Sequence, residues 1–368
     1  MKKVLRIIPL LLLFVFLADH SAAQLNRKAI KKNNKRMRNY KGAKNTFDKS
    51  KRYNSIGITL NSLNYFGDLA PKEGWASTDI SFTRPGFGAS FSHRFGPRYT
   101  LTAEYLWGTL KGNDFESADA SDENAQFRYV RNLSFRNRVN ELTVKAVFDA
   151  FKNESSYITR VTLTPYAYAG VSLIYHNPKG YVHPDSGLPE AGTWVALQPL
   201  GTEGQFSDLD EADANFGIKP YSRIQIGIPF GIGARYKLNQ AMDFAFEIGT
   251  RYLFTDYIDD VSTNYVDQDN FDSDLAWYMS DRSRERTDAA SGAERDLNQI
   301  ANTTGVEASG FDTNSWLIQT APFGGFGQQG PAEFPSKRGG SGDNDIYWVT
   351  TLKVSYILGG KFMKAKFR

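Results

Sequence analysis

The chain has 368 residues, no cysteine, a formal net charge of +4, 14% aromatic residues and 32 glycines. The absence of cysteine excludes a disulfide, a thiolate metal site and a lipidated cysteine anchor. No stretch beyond Ala18 approaches twenty consecutive apolar residues, which argues against a helical membrane protein. In chain order, Lys2, Lys3 and Arg6 precede the apolar run Ile7 to Ala18, and Ser21-Ala22-Ala23 follows with small residues where a signal peptidase reads. Residues 1–23 are therefore expected to be a secretory signal peptide. Residues 24–52 form a basic arm, with twelve Lys or Arg between 27 and 52 against the single acid Asp48. In a secreted chain such an arm is not a nucleic-acid patch; it is a tether or a surface for an acidic partner. Arg27, Lys28, Lys31, Lys32, Lys35, Arg36, Arg38 and Lys41 are the candidate partner-binding residues.

From residue 53 onward the hydrophobic pattern has a period of two. Ile56, Ile58 and Leu60 alternate with Gly57, Thr59 and Asn61, predicting a first strand over 53–67. A second strand is predicted over 86–95 and a third over 99–109, joined by the tight turn Gly96-Pro97-Arg98. A fourth is predicted over 137–151 and a fifth over 158–175, joined by the short turn Lys152–Ser156. The clearest signal is the hairpin Arg223–Phe254. There Ile224, Ile226, Ile228, Phe230 and Ile232 alternate with polar residues or glycine, and Met242, Phe244, Phe246 and Ile248 repeat the pattern after a turn at 237–242. The eighth strand is predicted over 345–358. Soluble strands usually run to about five or six residues. Longer arms, apolar on one face and polar or glycine on the other, suit strands that cross a bilayer at a tilt.

The predicted fold is an all-β, eight-stranded antiparallel transmembrane β-barrel spanning 53–358. Its connections alternate between long and short, as in outer-membrane barrels with short periplasmic turns and long extracellular loops, here about 68–85, 110–136, 176–222 and 256–344. An even strand number places both termini on one side, the periplasm. The arm and a basic tail, 359–368, then lie beneath the barrel. The loop carrying twelve acids against four arginines over 256–296 lies outside the cell. An eight-stranded barrel is just wide enough to be filled by side chains. The inward set read from the alternation is Glu104, Glu141, Lys145, Asp149, Arg235, Glu247, Arg251 and Lys353, with both signs in equal number. Buried charges must be paired, so a closed, ion-paired lumen is expected; a narrow ion path is the alternative.

Catalytic chemistry finds little support. Beyond the leader the histidines are His93, His176 and His183; the last lies near Asp185 and Ser186 in a loop. No nucleophile and base are fixed together by spacing. The run Asp267, Asp269, Asp272 and Asp274 lacks the glycine and terminal glutamate of a calcium-binding EF-hand loop and reads as a solvated acidic loop. No cofactor, metal, catalytic residue or small-molecule substrate is assigned, and the chain is read as a non-enzyme.

Three segments carry a resemblance: Asn64–Leu69 (NYFGDL), Arg131–Asn137 (RNLSFRN) and Phe254–Tyr265 (FTDYIDDVSTNY). With the hairpin Ile226–Gly233 they resemble the PorG-type outer-membrane barrels of Bacteroidota, linked to type IX protein secretion and gliding. The similarity covers about 53–267 and the last strand. It implies a non-enzymatic barrel bound to outer-membrane lipid and to a periplasmic ring of a PorK/GldK-type lipoprotein and a PorN/GldN-type subunit. The basic arm and the long loop after Asp260 depart from that family. The other expectation is a stand-alone barrel, either a narrow porin or a lipid- or peptide-modifying enzyme.

Overall fold

The computed structural model describes residues 47, 51–69, 82–118, 125–304, 337–340, 342 and 344–358, all within the compact unit Phe47–Arg368. The expected signal peptide 1–23, the arm residues Arg27 to Lys41 and the tail 359–368 lie outside these. Among the described residues ten strands are present: β1 (Tyr53–Phe66), β2 (Arg84–Arg94), β3 (Tyr99–Asn113), β4 (Ser134–Asp149), β5 (Leu163–Tyr175), β6 (Pro178–Tyr181), β7 (Trp194–Ala196), β8 (Ile224–Lys237), β9 (Met242–Leu253) and β10 (Ile346–Leu358). Eight of them form a closed antiparallel barrel in the order β1-β2-β3-β4-β5-β8-β9-β10. Closure comes from the pairing of β1 with β10, Asn54 opposite Leu358. The short β6 and β7 prolong the wall outside the barrel, β6 pairing with the start of β4 through Arg136 opposite Lys179. Four short helices, α1 (Asp114–Ser117), α2 (Gln126–Arg131), α3 (Asp274–Ser280) and α4 (Leu297–Thr304), lie in the long connections.

The strand faces follow from the alternation. Outward residues such as Ile58, Phe87, Leu142, Val171, Ile226, Ile232 and Phe246 are exposed around the whole circumference, while their immediate neighbours are mostly buried. A soluble monomer rarely exposes a continuous apolar patch of more than a few hundred Å². A band on all eight strands is the surface of a protein whose solvent is hydrocarbon. Aromatic residues mark both rims: Phe95, Tyr99, Phe148 and Tyr236 at the end with the short turns, and Trp107, Tyr175, Tyr252 and Trp348 at the end with the long loops.

Three strand limits differ from the sequence expectation by three residues or more. β5 begins at Leu163 rather than 158, so its connection to β4 runs over 150–162. The cause is Arg160. Its buried guanidinium binds the Asp243 carboxylate at 2.6 Å and the carbonyls of Asn239, Gln240 and Met242, a position that an extended strand could not reach. β3 runs on to Asn113 and β4 starts at Ser134, because the ladder continues through Lys111 opposite Arg136 to Asn113 opposite Ser134. The 176–222 connection, expected to be a loop, contains β6 and β7.

Glycine thins the inner wall where large side chains cross the lumen. A Cβ on Gly249 would lie 2.0 Å from the Tyr168 hydroxyl, and one on Gly233 would lie 2.7 Å from the Tyr166 ring. The two tyrosines point from β5 across to β8 and β9, and only glycine leaves them room.

Candidate functional site

The lumen is filled in layers. At the short-turn end, Asp149 of β4 sits between Arg94 of β2, at 2.6 Å, and Arg235 of β8, at 3.1 Å. In the middle, Lys145 bridges two carboxylates, Glu247 at 2.6 Å and Glu104 at 3.0 Å. Lys353 of β10 approaches Glu247 at 3.3 Å and Glu104 at 3.9 Å. Tyr166 donates to Glu247 at 2.8 Å, and the Lys145 ammonium lies 4.4 Å above the Tyr168 ring. Higher still, Arg251 meets Glu141 at 3.1 Å, and Tyr347 and Thr143 donate to the same carboxylate. All eight residues proposed for the lumen thus face inward and are brought together. Seven are buried and Arg235 is half-buried.

The sequence reading missed Arg94, Arg160 and Asp243. Arg94 and Asp243 share the inward period of two with Ser92 and Ala245, so the alternation could have found them. Arg160 stands off any strand and left no periodic signal. The cavity between these layers and the short-turn end has a volume of ≈ 30 Å³, enough for a water molecule and far too small for a solute path.

Toward the long loops the inward residues become apolar. Leu63, Tyr65, Leu106, Leu110, Val139, Ile174, Leu253, Tyr347 and Val349 form a buried cluster, and Ile258 and Val261 of the β9–β10 connection insert into it. The segment Thr255–Tyr265 is therefore a plug seated in the barrel mouth. Asn137 donates to the Ile258 carbonyl at 2.6 Å, and the Ile258 amide donates to Asp345 at 2.8 Å. Asp260 takes a positive φ of 73°, which turns its carboxylate toward the hydroxyls of Tyr221 and Thr202, each at 2.5 Å. Arg338 ties the plug to the surrounding loops. It binds Glu203 at 3.0 Å and the carbonyls of Asp260 and Ser280, while Glu203 in turn accepts the amides of Ser262 and Thr263. Arg131, Arg282 and Arg295 are likewise buried among loop carbonyls and carboxylates.

The acidic connection is thus divided. Asp269, Asp272 and Asp274 are exposed and Asp267 is half-buried, whereas Asp259, Asp260, Glu285 and Asp288 are buried in the cap. Among the described residues no cluster of three or more potential ligands could hold a metal ion.

The plug carboxylates are held in unusual states. The Tyr65 hydroxyl lies 2.7 Å from Asp259 and 2.7 Å from Asp345. Burial, with no cation beside it, lifts the Asp345 carboxyl to about 7. Burial and the neighbouring Asp345 and Asp68 carboxylates push Asp259 well above the usual carboxylate range. Burial raises Asp260 to about 6, although Arg338 opposes the rise.

The three histidines lie apart. His93 is on the outward face of β2, hydrogen-bonded to Asn54 at 2.6 Å. His176 is buried just after β5, stacked on Tyr221 and bonded to the Ser222 carbonyl; burial lowers its pKa to about 4. His183 accepts the Asp185 amide as the cap of a 3₁₀ turn. His176 and His183 are each engaged in local structure.

A family model matches residues 44–191. It is described as a domain of unknown function (DUF6089), and the match spans less than half of the chain. No curated protein matches the sequence. Among solved structures the chain is similar to Neisserial surface protein A, at 8% identity and a TM-score of 0.33, covering 82% of this chain and 96% of that one. It is similar to the N-terminal β-barrel domain of Pseudomonas aeruginosa OprF, at 9% identity and a TM-score of 0.29, covering 83% and 98%. It is also similar to a major outer membrane protein from Thermus thermophilus, at 11% identity and a TM-score of 0.32, covering 83% and 99%.

Proposed function

We propose that this chain is an outer-membrane barrel that acts as a non-enzymatic anchor for a periplasmic assembly of the type IX secretion and gliding machinery. The observation that carries the reading is the combination of an apolar outer belt with a lumen filled by ion pairs and stoppered by the Thr255–Tyr265 plug. Such a body crosses a bilayer without offering a conduit, so its use lies in what it holds in place. The type IX assignment rests on the resemblance of the Asn64–Leu69, Arg131–Asn137 and Phe254–Tyr265 segments to PorG-type barrels. In this reading the short-turn end, where β1 starts and β10 ends, faces the periplasm. The basic arm and the turns 95–98, 150–162 and 238–241 then meet a ring of PorK/GldK-type lipoprotein and PorN/GldN-type subunit. Clustered positive charge on that side raises the rate of encounter with an acidic surface.

The test is an affinity pull-down of the detergent-extracted barrel from its native membrane, with mass spectrometry of the co-purified proteins. Recovery of a lipoprotein and a soluble partner in defined ratio is expected, with a loss of at least about tenfold on deletion of 27–50, the size of a 1.4 kcal/mol contribution. Recovery of the barrel alone, stable and monodisperse, contradicts the anchor and leaves a stand-alone barrel. Unchanged recovery after the deletion removes the arm from the account.

A further inference from the structure

At the loop end of the outer wall, basic residues from three strands line up on one face. Lys111 of β3 stands directly opposite Arg136 of β4, and Arg136 stands directly opposite Lys179 of β6. Arg138 follows two residues along β4 on the same outward face. Like charges placed opposite one another across strands repel and are destabilising. Among the described residues the repulsion is relieved at one position: Lys111 is paired with Glu116 at 2.7 Å. Among the described residues no carboxylate stands within 4.0 Å of the charged nitrogens of Arg136, Arg138 or Lys179, and both arginines are exposed.

Both guanidinium groups rest on aromatic shelves. Arg138 lies 5.6 Å above the Trp107 ring and Arg136 lies 4.1 Å above Trp194. Packing of this kind orients the planar fork while leaving N–H donors free, the arrangement that suits bidentate recognition of phosphate.

The position of the patch selects the source of the anion. Immediately below the cations, one row of the wall reads Trp107, Asn140 and Tyr175, and the next reads Tyr105, Leu142 and Leu173. The first is an aromatic girdle residue row and the second is in the apolar belt. Arg136, Arg138 and Lys179 therefore sit at the depth of the lipid headgroups, on the side of the belt that the long loops occupy. We propose that Arg136, Arg138 and Lys179 form a binding site for the phosphate of a phosphorylated membrane-lipid headgroup, with Trp107 and Tyr175 against the upper part of its acyl chains. This site rests on the reading of the barrel as membrane-spanning.

The experiment uses the full chain purified in detergent, native mass spectrometry, and diphosphoryl lipid A or its dephosphorylated form as the added lipid. Insertion into phosphatidylcholine vesicles is scored separately by the heat-dependent gel shift of folded barrels. The wild type is expected to retain phosphorylated lipid at least about tenfold better than the dephosphorylated form, the ratio that corresponds to 1.4 kcal/mol. The triple variant R136Q/R138Q/K179Q is expected to lose that preference while still inserting, and R136K/R138K/K179R to keep only part of it, because lysine keeps the charge but not the stacked bidentate fork. Equal retention of phosphorylated lipid by the wild type and the glutamine variant overturns the site. Complete displacement of the lipid by millimolar inorganic phosphate reassigns it to a free anion and overturns the lipid. Failure of the wild type itself to insert overturns the membrane reading on which the site depends.

Discussion

Replacing Lys145 by alanine is expected to destabilise the barrel by about 3–5 kcal/mol, the cost of removing one partner from a buried ion pair. Lys145 is fully enclosed and is the only residue within 3.0 Å of both Glu104 and Glu247 among the described ion pairs. Without it, two buried carboxylates share Lys353, which lies at 3.9 Å and 3.3 Å. Their mutual repulsion and lost hydration then act on the centre of the lumen, where β3, β4, β9 and β10 face one another. The readout is the temperature at which the reconstituted barrel loses its compact migration in a detergent gel. Neutralising one of the stranded carboxylates in the same chain, as Lys145→Ala with Glu104→Gln, is expected to recover part of the loss. If the double variant is no more stable than the single one, the cost comes from packing and not from uncompensated charge.

The plug is expected to loosen as pH rises. Asp345 ionises at about 7 when buried beside Tyr65 and Ile258, but near 3.8 once the plug is out. Between those values the seated plug holds a proton that the released segment gives up. Stability of the seated form is therefore complete below the lower value and declines as pH climbs through the window to about 7. Asp259, lifted in the same direction, adds to the decline. Of the charged groups around the pair, Arg338 binds Glu203, Arg131 binds the Asp68 backbone carbonyl, and the Asp68 carboxylate accepts the Gly340 amide. Hydrogen-exchange protection of the Ile258 and Val261 amides, corrected for intrinsic rate, is expected to fall on the order of tenfold from pH 5.5 to 8.

Asp345→Asn is expected to abolish most of that fall. Its amide carbonyl can still accept the Ile258 amide, and its N–H₂ can donate to the Tyr65 oxygen in the manner of the protonated acid. A wild-type plug whose protection does not change over this range would show that the carboxyls do not control its seating.

Much of the barrel was legible in the chain because a two-sided wall imposes a strict period of two. Ile224 to Ile232 and Phe244 to Ile248 announce their lipid face directly, and Glu104, Lys145, Glu247 and Arg251 fall on the opposite face by the same count. The start of β5 was not legible, because Arg160 acts through tertiary bonds to the β8–β9 turn and no local propensity records them. The apolar upper lumen was hidden for a related reason. Leu63, Leu106 and Val139 point inward but resemble ordinary strand residues until the depth of each along the barrel is known.

The plug was visible only as a distinctive string of letters. Nothing in the sequence marks Asp259 and Asp260 as buried; they are so because backbone amides, hydroxyls and Arg338 from distant loops converge on them. The basic patch at Lys111, Arg136, Arg138 and Lys179 is scattered in the chain and is assembled only by the register of three strands.

The central claim is that this barrel crosses a bilayer with its lumen closed, and planar-bilayer conductance of the purified wild-type chain tests it most directly. Insertion is verified in the same preparation by the heat-dependent gel shift. Inserted protein is expected to give no step conductance above the bare membrane at neutral pH. Reproducible unitary steps from inserted wild-type protein would mean that the ion-paired layers and the plug leave a path, and would contradict the closed anchor in favour of a narrow porin.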